Sequence, residues 1–381
     1  MIAPKRLVIF RPTLGEGGAD RVTITLLKYL DRRKFAPALV LTRREGVLLE
    51  QVPADVPVIT LQARRLGTSW IALARYLRAE KPDIVFSTSS GGNTVAALAH
   101  WLSGHRSRLV LSERNTFSIA RRQRLPRWLP VERLKRPLYR RADVIAAVSR
   151  GVADDLVATL RLPADQVSVV YNPVDVDAAA PAPDPAPHPW LTEPIPVVLA
   201  VGRLVPQKGY PVLLDAFAAV RRIRAARLLV LGEGPLRGSL QTQVESRGLS
   251  DDVRFLGFVT NPHAFMRRCA VYVLSSVFEG FPNALIEAMR CGAPVISTDC
   301  PSGPREIITE PGRNGLLVPV GDAQALADAI DTVLSSAPLR ATLAEEGQRR
   351  AAAFRHESIV AAYERVLLPE SLGHDRMLTP A

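Results

Sequence analysis

Cysteine, aromatic side chains and long apolar runs are scarce in this sequence. Three cysteines in 381 residues (Cys269, Cys291 and Cys300) are too few for a disulfide framework, and their spacing matches no zinc-binding pattern. We therefore expect reduced, structural cysteines, as in a reducing compartment. No window of about 18 apolar residues predicts a membrane-spanning helix, and the N-terminal apolar run is too short for a secretory signal. These absences favour a cytoplasmic protein.

Acidic residues are also outnumbered, with 37 Asp and Glu against 49 Lys and Arg, so the net charge is +12. Residues 1–175 hold 29 cationic and 15 acidic side chains, a net of +14, while residues 176–381 have a net charge of −2. A positive field of this kind attracts nucleic acid, an anionic membrane or a phosphorylated substrate. The chain is 47% hydrophobic, which excludes a wholly disordered protein. It is also longer than the roughly 250–300 residues of one hydrophobic core, which predicts two domains.

Short apolar runs alternate with amphipathic stretches along nearly the whole chain. The strand candidates of the first half are residues 6–10, 36–42, 56–61, 83–87, 108–112, 143–148 and 167–171, with helical patterns at 19–30, 69–79 and 93–102. Those of the second half are residues 197–201, 227–231, 253–257, 271–275, 294–298 and 315–318, and its helical patterns are at 211–224, 235–247, 262–268, 283–291, 323–335, 339–354 and 358–367. This alternation predicts an α/β protein with two doubly wound parallel sheets.

A proline- and alanine-rich stretch separates the two halves. Residues 176–196 hold seven prolines and five alanines, which is typical of a semi-rigid linker. We predict an N-terminal domain at 1–176, a linker at 177–196 and a C-terminal domain at 197–355. We expect a last helix, at about 356–370, to pack back on the first domain. Ligands of such sheets bind beyond the carboxyl ends of the strands, so two domains of this kind facing each other would form a cleft.

The loop after the first predicted strand is rich in glycine. Gly15, Gly17 and Gly18 precede a predicted helix, where the free backbone N–H groups favour an anion and glycine allows close approach. The spacing differs from the dinucleotide-binding fingerprint. We interpret the loop as an approach site for a phosphate or a sugar, with a plain tight turn as the alternative.

The loop after the strand at 197–201 carries two cations. Gly202 is followed by Arg203 and Lys208, and the arrangement differs from a P-loop because Lys208 precedes its glycine. Arginine can fork across two phosphate oxygens while lysine adds a point charge, so the pair suits a diphosphate. A solvated loop with two unremarkable cations is the alternative.

A third loop places two glutamates eight residues apart. Glu279 precedes a Gly-Phe-Pro turn, and a helix is predicted to begin near Asn283, so its first N–H groups could hold a second phosphate. Glu287 lies one helical turn beyond Asn283, on the same side of the helix. A carboxylate there could accept two hydrogen bonds from a vicinal diol such as a ribose, while Glu279 could meet the hydroxyls of the group that the diphosphate carries.

These motifs together resemble family 4 retaining glycosyltransferases of the GT-B fold. The resemblance is carried by residues 202–209, 232–235, 255–257, the Glu279 and Glu287 pair and residues 288–296, with looser matches at 15–18 and 171–175. Residues 298–306 further resemble members that extend lipid-linked or surface oligosaccharides from UDP-sugars. The family's fold consists of two doubly wound domains that face each other across a cleft.

The resemblance implies that the second domain holds a nucleotide-sugar donor and the first holds the acceptor. It implies that Arg203 and Lys208 neutralise the donor diphosphate, that Glu287 holds the ribose and that Glu279 contacts the donor sugar, without a cofactor or metal. The residues implied in donor binding are Gly17, Gly202, Gly234, Phe258, Val259, Asn283, Ala284, Leu285 and Glu287. The expected reaction is hexosyl or N-acetylhexosaminyl transfer in polysaccharide biosynthesis.

The acceptor side departs from the family pattern. Relatives often carry a histidine in the loop that here contains Glu113, Arg114 and Asn115, and none of the six histidines lies there. We expect these three residues, together with Gly18, to contact the acceptor instead. Asp175 and Asp177 form an Asp-x-Asp pair of the kind that binds metal diphosphates in another glycosyltransferase fold. The pair lies at the start of the linker, and we expect no metal there.

The segment 119–141 concentrates the positive charge. It holds nine Lys and Arg and one acid, with tryptophan and leucine between them and three prolines that should break it into short pieces. Cations beside exposed apolar side chains suit an anionic bilayer surface, and a solvated basic loop is the alternative. The residues expected to contact the membrane are Arg121, Arg122, Arg124, Arg127 and Trp128. We therefore expect a peripheral protein on the inner face of the cell membrane.

Three other functions remain open. A nucleotide-sugar epimerase or a sugar phosphorylase could use the same architecture, although a phosphorylase would need a pyridoxal-binding lysine and a longer chain. A nucleic-acid-binding protein would fit the isoelectric point of about 10.1, but the sequence contains no recognisable nucleic-acid motif. Donor hydrolysis would identify an epimerase, and a salt-dependent gel shift would identify nucleic-acid binding.

Overall fold

The structure is a computed structural model that describes residues 3–15, 17–119, 131–176 and 186–368. The chain forms two compact units. The first consists of Met1–Asp175 together with Phe354–Ala381, and the second consists of Val176–Ala353. The first unit is therefore built from two separate stretches of the chain.

The first unit contains a seven-stranded parallel sheet. Its strands are β1 (Lys5–Arg11), β2 (Phe35–Leu41), β3 (Val58–Thr60), β4 (Ile84–Ser87), β5 (Arg108–Glu113), β6 (Val144–Ala147) and β7 (Val167–Val169), in the order β3-β2-β1-β4-β5-β6-β7. The central strands are continuous apolar runs because helices cover both faces of such a sheet. In register, Ile9 of β1 pairs with Leu39 of β2 and with Phe86 of β4, and all three side chains are fully buried.

Six helices with defined bounds belong to this unit, and the described residues 117–119 are also helical. The six are α1 (Gly18–Tyr29), α2 (Trp70–Glu80), α3 (Ser90–Ser103), α4 (Val131–Tyr139), α5 (Arg150–Leu160) and the C-terminal helix, which is numbered α13 (His356–Leu367) because seven helices of the second unit precede it. Helices α3 and α5 begin with serine caps: Ser89 accepts from Gly92 N and Ser149 accepts from Val152 N. Such caps satisfy backbone donors that a helix start otherwise leaves unpaired.

Helix α13 packs against the first sheet although it lies about 180 residues after β7 in the chain. Glu364 accepts a hydrogen bond from Asp31 N at 2.9 Å and forms an ion pair with Lys34 at 2.7 Å. The buried Tyr363 ring contacts Phe86 of β4 at 5.8 Å between centroids. The helix thus supplies both core and polar contacts to the first unit.

The second unit contains a six-stranded parallel sheet. Its strands are β8 (Val197–Val201), β9 (Arg227–Leu231), β10 (Val253–Gly257), β11 (Val271–Leu274), β12 (Val295–Thr298) and β13 (Leu316–Val318), in the order β10-β9-β8-β11-β12-β13. Its helices are α6 (Tyr210–Ile223), α7 (Arg237–Ser246), α8 (His263–Met266), α9 (Asn283–Arg290), α10 (Pro304–Ile307), α11 (Ala323–Ser335) and α12 (Ala337–Ala351). The prediction of two parallel α/β sheets is confirmed.

Three helices were absent from the prediction, namely α4 in the basic segment, α5 and α10. Helix α5 carries adjacent aspartates at 154 and 155, which lower its helical propensity, but its serine cap and its buried Leu156 stabilise it. Helix α10 is a single turn that follows Gly303 and begins with proline. Helices α5 and α10 depend on contacts that a periodic apolar pattern does not show.

The expectation that prolines divide the basic segment was wrong at one position. Pro137 lies inside α4 rather than at its end. A proline there removes one hydrogen bond near the helix terminus, and the buried Val131 and Tyr139 hold both ends of the helix against the protein. Arg121, Arg122, Arg124, Arg127 and Trp128, together with Asp177, lie outside the described residues.

The three cysteines are free and buried, as expected. Burial raises the pKa of Cys291 to about 11 and that of Cys300 to about 12, because a thiolate loses its hydration in the protein interior. In the described part of the chain, no helix combines the length and apolar character needed to cross a bilayer.

Candidate active site at the carboxyl edge of the second sheet

Glycines bring three loops together at the carboxyl ends of β8, β9 and β10. Gly232 N donates to Gly257 O at 2.7 Å, and a Cβ atom at Gly232 would lie 2.1 Å from Gly202 O. A Cβ atom at Gly234 would lie 2.5 Å from Leu204 O. Only glycine fits such close backbone contacts, so these residues fix the loops against one another. The edge is thus a rigid backbone surface.

The loop after β8 is also held by the end of β11. Gly209 has a φ of 63°, and a Cβ atom there would lie 2.1 Å from Ser275 O. Ser275 Oγ donates to Lys208 O at 2.8 Å, and Val277 N donates to Gln207 O at 2.8 Å. These contacts place Lys208, before α6, beside the loop that carries Glu279.

Lys208 and Glu279 form the central contact of the site. Lys208 Nζ lies 2.6 Å from Glu279 Oε1, and the two side chains are 19% and 8% exposed. Ser276 Oγ donates to the same carboxylate oxygen at 2.6 Å, and Thr298 Oγ1 donates to Ser276 O at 2.5 Å. A half-enclosed ammonium held in this way is a preorganised positive charge, which suits a group that becomes negative during a reaction.

Helix α9 carries the second glutamate of the pair. Glu287 Oε2 lies 3.5 Å from His263 Nε2 of α8, and these side chains are 14% and 20% exposed. Asn283 and Ala284, at the start of α9, are partly exposed, so the helix terminus is reachable. Glu287 therefore lies at a partly open surface with an imidazole beside it.

The other residues predicted to bind the donor differ in exposure. Arg203 is exposed and forms no ion pair with another described residue, whereas Phe258 is 38% exposed and Val259 is partly exposed. Leu285 is fully buried, and its N–H donates to Pro282 O at 3.1 Å. The structure thus assigns the Leu285 side chain to the hydrophobic core and leaves Arg203 free to reach a ligand.

Several groups at this edge were missed in the sequence. Tyr210 OH donates to Gly202 O at 2.8 Å, and Gln207 Nε2 donates to Phe278 O at 3.1 Å. Burial, with Glu279 adding to it, raises the pKa of Tyr210 above its ordinary value, so the phenol stays a donor. Of Tyr210, Gln207, Ser276 and His263, only Ser276 had a sequence signal, since it follows a predicted strand.

In the first unit, the glycine loop is tied to Arg11 at the end of β1. Gly17 precedes α1, and its N–H donates to Asp20 Oδ2 at 3.1 Å. Asp20 Oδ1 lies 2.5 Å from Arg11 NH2. The side chains of Arg11 and Asp20 are 6% and 13% exposed, so the loop rests on a buried ion pair, with Gly18 as the first residue of the helix.

Glu113 has a structural role in the first unit. Its residue exposure is 1%, and its carboxylate accepts hydrogen bonds from Tyr139 OH at 2.8 Å, from Asn93 Nδ2 at 3.5 Å and from Ser90 Oγ. Burial, followed by the charge of Glu113 and this hydrogen bond, raises the pKa of Tyr139. The carboxylate therefore ties α4 to α3, and the structure offers no support for the prediction that Glu113 contacts the acceptor.

Arg114 and Asn115 follow β5 at the carboxyl edge. Arg114 is 7% exposed; its Nε donates to Thr88 O at 3.2 Å and its NH1 donates to Asn172 Oδ1 at 2.8 Å. Asn115 is partly exposed. The acceptor-side prediction therefore rests on a buried guanidinium and an accessible amide.

Asp175, one half of the Asp-x-Asp pair, is engaged within the first unit. Tyr29 OH lies 3.2 Å from both of its carboxylate oxygens, and Lys28 Nζ lies 3.5 Å from one of them. His356 Nδ1 lies 3.7 Å away and stacks on the Tyr29 ring. This carboxylate joins α1 to the start of α13.

Family models match both halves of the chain. "Glycosyltransferase Family 4" matches residues 16–178, and "Glycosyl transferases group 1" matches residues 190–350. The first match spans β2 to β7, and the second spans all six strands of the second sheet and includes Lys208, Glu279 and Glu287.

Named proteins and solved structures agree with these models. The chain is 30% identical over 361 residues, 92% of this chain and 96% of the relative, to the N-acetylgalactosamine-N,N'-diacetylbacillosaminyl-diphospho-undecaprenol 4-alpha-N-acetylgalactosaminyltransferase of Campylobacter jejuni. It is 28% identical to the lipopolysaccharide core biosynthesis glycosyltransferase LpsE of Rhizobium meliloti, over 92% of this chain and 96% of the relative. A crystal structure of Anabaena Alr3699/HepE in complex with UDP and glucose has the same fold, with a TM-score of 0.80 and 24% identity over 95% of this chain and 99% of that one. The chain belongs to family 4 of the glycosyltransferases and has the GT-B fold.

Proposed function

We propose that this glycosyltransferase moves a hexose or N-acetylhexosamine from a UDP-sugar to a lipid-linked or surface glycan, with retention of the anomeric configuration. The observation that carries the proposal is the Lys208 and Glu279 pair, held at 2.6 Å in a shielded position at the carboxyl edge of the second sheet. A nucleoside diphosphate leaves as a dianion or trianion, and a fixed ammonium stabilises the charge that develops on it.

Each residue of the site has a proposed task in this reaction. Arg203 donates two parallel hydrogen bonds to the phosphate oxygens, and it is exposed and forms no ion pair with another described residue. Lys208 supplies a point charge. Glu287 accepts hydrogen bonds from the ribose diol, and Glu279 orients Lys208 and meets the donor sugar. With two cations serving the diphosphate, we propose that the reaction needs no metal.

The proposed chemistry balances without a further reactant. The bond between the anomeric carbon and the β-phosphate oxygen breaks, its electron pair goes to UDP, and a hydroxyl oxygen of the acceptor forms the new bond on the same face. The acceptor proton moves to the leaving phosphate. In this scheme the protein holds the reacting groups in place and stabilises charge, so its contribution is orientation and electrostatics.

The relatives support the choice of substrates. The Anabaena structure contains UDP and glucose, and the name of the Campylobacter relative describes transfer to a sugar on diphospho-undecaprenol. An acceptor of that type would bring this enzyme to the inner face of the cell membrane. The substrate class proposed here is therefore a UDP-sugar donor and a diphosphate-linked or surface glycan acceptor.

Replacing Glu287 by alanine tests the donor site. We expect weakened UDP binding and lost sugar transfer with the fold kept, because Glu287 is partly exposed and outside the core. Isothermal titration with UDP measures binding, a UDP-release assay measures sugar transfer, and circular dichroism checks the fold. Glu245→Ala, a change at an exposed position on α7 of the same unit, is the matched control. Unchanged transfer by Glu287→Ala would remove the central claim.

Membrane contact through the basic segment is a separate part of the proposal. In the described part of this segment, Leu134 is 63% exposed, and Arg141 lies 4.8 Å over the ring of the half-exposed Trp101. Cations beside exposed apolar side chains suit an anionic bilayer.

Flotation on vesicles of phosphatidylcholine and phosphatidylglycerol tests this contact. We expect binding to be lost when Arg121, Arg122, Arg124 and Arg127 are replaced by serine. The matched control replaces four exposed cations elsewhere in the same unit, namely Lys5, Arg75, Lys81 and Arg106. Equal flotation of the two quadruple variants would contradict the proposal.

A further inference from the structure

Two guanidinium groups lie close together at the buried carboxyl edge of the first sheet. Arg11 and Arg114 both donate to Thr88 O, at 3.1 Å and 3.2 Å, so two guanidinium groups meet at the end of β4. Arg11 is paired with Asp20 at 2.5 Å. Arg114, by contrast, has only the neutral Thr88 and Asn172 as partners among the described residues.

The remaining charges near this edge do not neutralise Arg114. Glu113 is the other buried carboxylate, and its hydrogen bonds come from Ser90, Asn93 and Tyr139. Lys135 of α4, partly exposed beside Phe117, interacts with Glu113, and its pKa is lowered by desolvation. Lys135 is thus offset by Glu113, and Arg114 remains without a carboxylate partner among the described residues.

An unbalanced buried guanidinium is energetically costly. A charge removed from water needs an opposite charge or a full set of hydrogen bonds. Arg114 is only 7% exposed, and its NH2 atom has no hydrogen-bond partner among the described residues. The pKa of Arg11 is lowered to about 10, mainly by burial, and the nearby charge of Arg114 contributes to the lowering. Both observations show a local excess of positive charge.

Other polar groups at the same edge also lack partners. Ser87 Oγ, Asn93 Oδ1 and Ser112 Oγ are buried without a hydrogen bond within the described part of the chain. Ser87 is the last residue of β4 and precedes Thr88, and Ser112 of β5 lies two residues before Arg114. Ser89 and Asn115, which directly follow Thr88 and Arg114 in the chain, are partly exposed.

We propose that Arg114, supported by Arg11, forms a subsite for a phosphoryl group. Guanidinium groups bind phosphate oxygens in pairs of parallel hydrogen bonds, and the free NH2 of Arg114 is the donor that such a ligand would use. The bound oxyanion supplies the missing negative charge. The source of the phosphoryl group is either the diphosphate of a lipid-linked acceptor or free phosphate, and the first of these rests on the proposed function.

The two ends of β5 provide a matched comparison. Arg108, at its first residue, has one backbone partner (Val366 O at 3.2 Å) and an unpartnered buried NH2, as Arg114 has at the other end. Arg108 lies at the amino edge, away from the edge where ligands of parallel sheets bind. The variants Arg114→Gln and Arg108→Gln therefore remove similar groups from opposite edges.

Isothermal titration with inorganic phosphate, inorganic pyrophosphate and farnesyl diphosphate tests the subsite. UDP is present at saturation so that the second unit's donor site is filled. We expect Arg114→Gln to weaken pyrophosphate binding at least tenfold and Arg108→Gln to change it less than twofold. Farnesyl diphosphate binding tenfold tighter than pyrophosphate identifies the acceptor as the source, and equal binding identifies a free phosphate.

Two outcomes would overturn the subsite. They are pyrophosphate binding by Arg114→Gln within twofold of the original protein, and absence of binding by all three probes. If Arg114→Gln does not fold, Arg114→Lys replaces it, because lysine keeps the positive charge but cannot make two parallel hydrogen bonds to a phosphate. We expect this variant to bind pyrophosphate at least threefold more weakly than the original protein. UDP affinity, titrated separately, reports on the donor site alone. Loss of UDP binding would therefore count against the proposed function and leave the subsite to be judged from titrations without UDP.

Discussion

Replacing Glu279 by glutamine separates the charge of the Lys208 and Glu279 pair from its shape. The variant keeps the side-chain volume and leaves the ammonium of Lys208 without its carboxylate. Breaking a fully buried ion pair costs about 3–5 kcal/mol. Because Lys208 is 19% exposed and Glu279 is 8% exposed, water screens part of the attraction between the two charges. We therefore expect a loss of about 2 kcal/mol in the free energy of unfolding.

The effect on catalysis should be larger than the effect on stability. Removing one preorganised group that stabilises developing charge lowers kcat by about 100- to 1,000-fold, or roughly 2.7–4 kcal/mol. We expect Lys208→Met to lower kcat by a similar factor. If the two side chains act as a unit, the double variant should be hardly worse than either single one, since effects within such a unit are not additive.

Urea denaturation and a UDP-release assay measure these quantities on all four proteins. Glu310→Gln serves as the control, since Glu310 pairs with Arg313 at 2.9 Å on an exposed surface and should change neither measurement. Two results would refute the reasoning: wild-type kcat in Glu279→Gln, or losses in the double variant that equal the sum of the single losses.

Three further predictions concern other parts of the molecule. Gly209→Ala should lose about 2 kcal/mol or more in urea denaturation, because a Cβ atom would lie 2.1 Å from Ser275 O at a φ of 63°, whereas Gly238→Ala, with nothing within 4 Å, should be neutral or slightly stabilising. Cys291 and Cys300 have pKa values of about 11 and 12 in the folded state, above the ordinary 9.0, so their contribution to stability is complete below pH 9.0 and is lost as pH rises toward 12. The unfolding free energy should therefore fall more steeply above pH 9.0 than in a Cys291→Ala and Cys300→Ala double variant, and parallel curves would contradict this. Tyr139→Phe removes the 2.8 Å hydrogen bond to Glu113 and should cost about 1.5–3 kcal/mol, and an unchanged denaturation midpoint would argue against the structural role of Glu113.

The strands of the second unit were the most predictable part of the fold. The runs at 197–201, 227–231 and 253–257 coincide with β8, β9 and β10. Strands β8 and β9 are almost wholly apolar because both faces of the sheet are covered there, whereas the edge strand β10 has an exposed residue, Arg254. Helix α5 was missed because its stability depends on a serine cap and on packing. A local apolar pattern therefore identifies an element only when its buried residues follow one another in the sequence.

The site was predictable only where its residues are close in sequence. Glu279 and Glu287 flank one turn, and their relation is visible in the spacing. Lys208 and Glu279 are 71 residues apart, and nothing in either segment shows that their side chains meet at 2.6 Å. The contacts of Glu113 were not visible in the sequence for the same reason, because its partners at Ser90 and Tyr139 come from other elements.

The division of the first unit between two stretches of chain has a consequence for synthesis. Helix α13, which places Tyr363 against Phe86 and Glu364 against Lys34, leaves the ribosome after every residue of the second unit. Val176–Ala353 is continuous, so it can complete its own core while the unit that began first still lacks a helix. The second unit can therefore finish folding before the first, and the surface of Phe86 that Tyr363 contacts stays uncovered until α13 is synthesised.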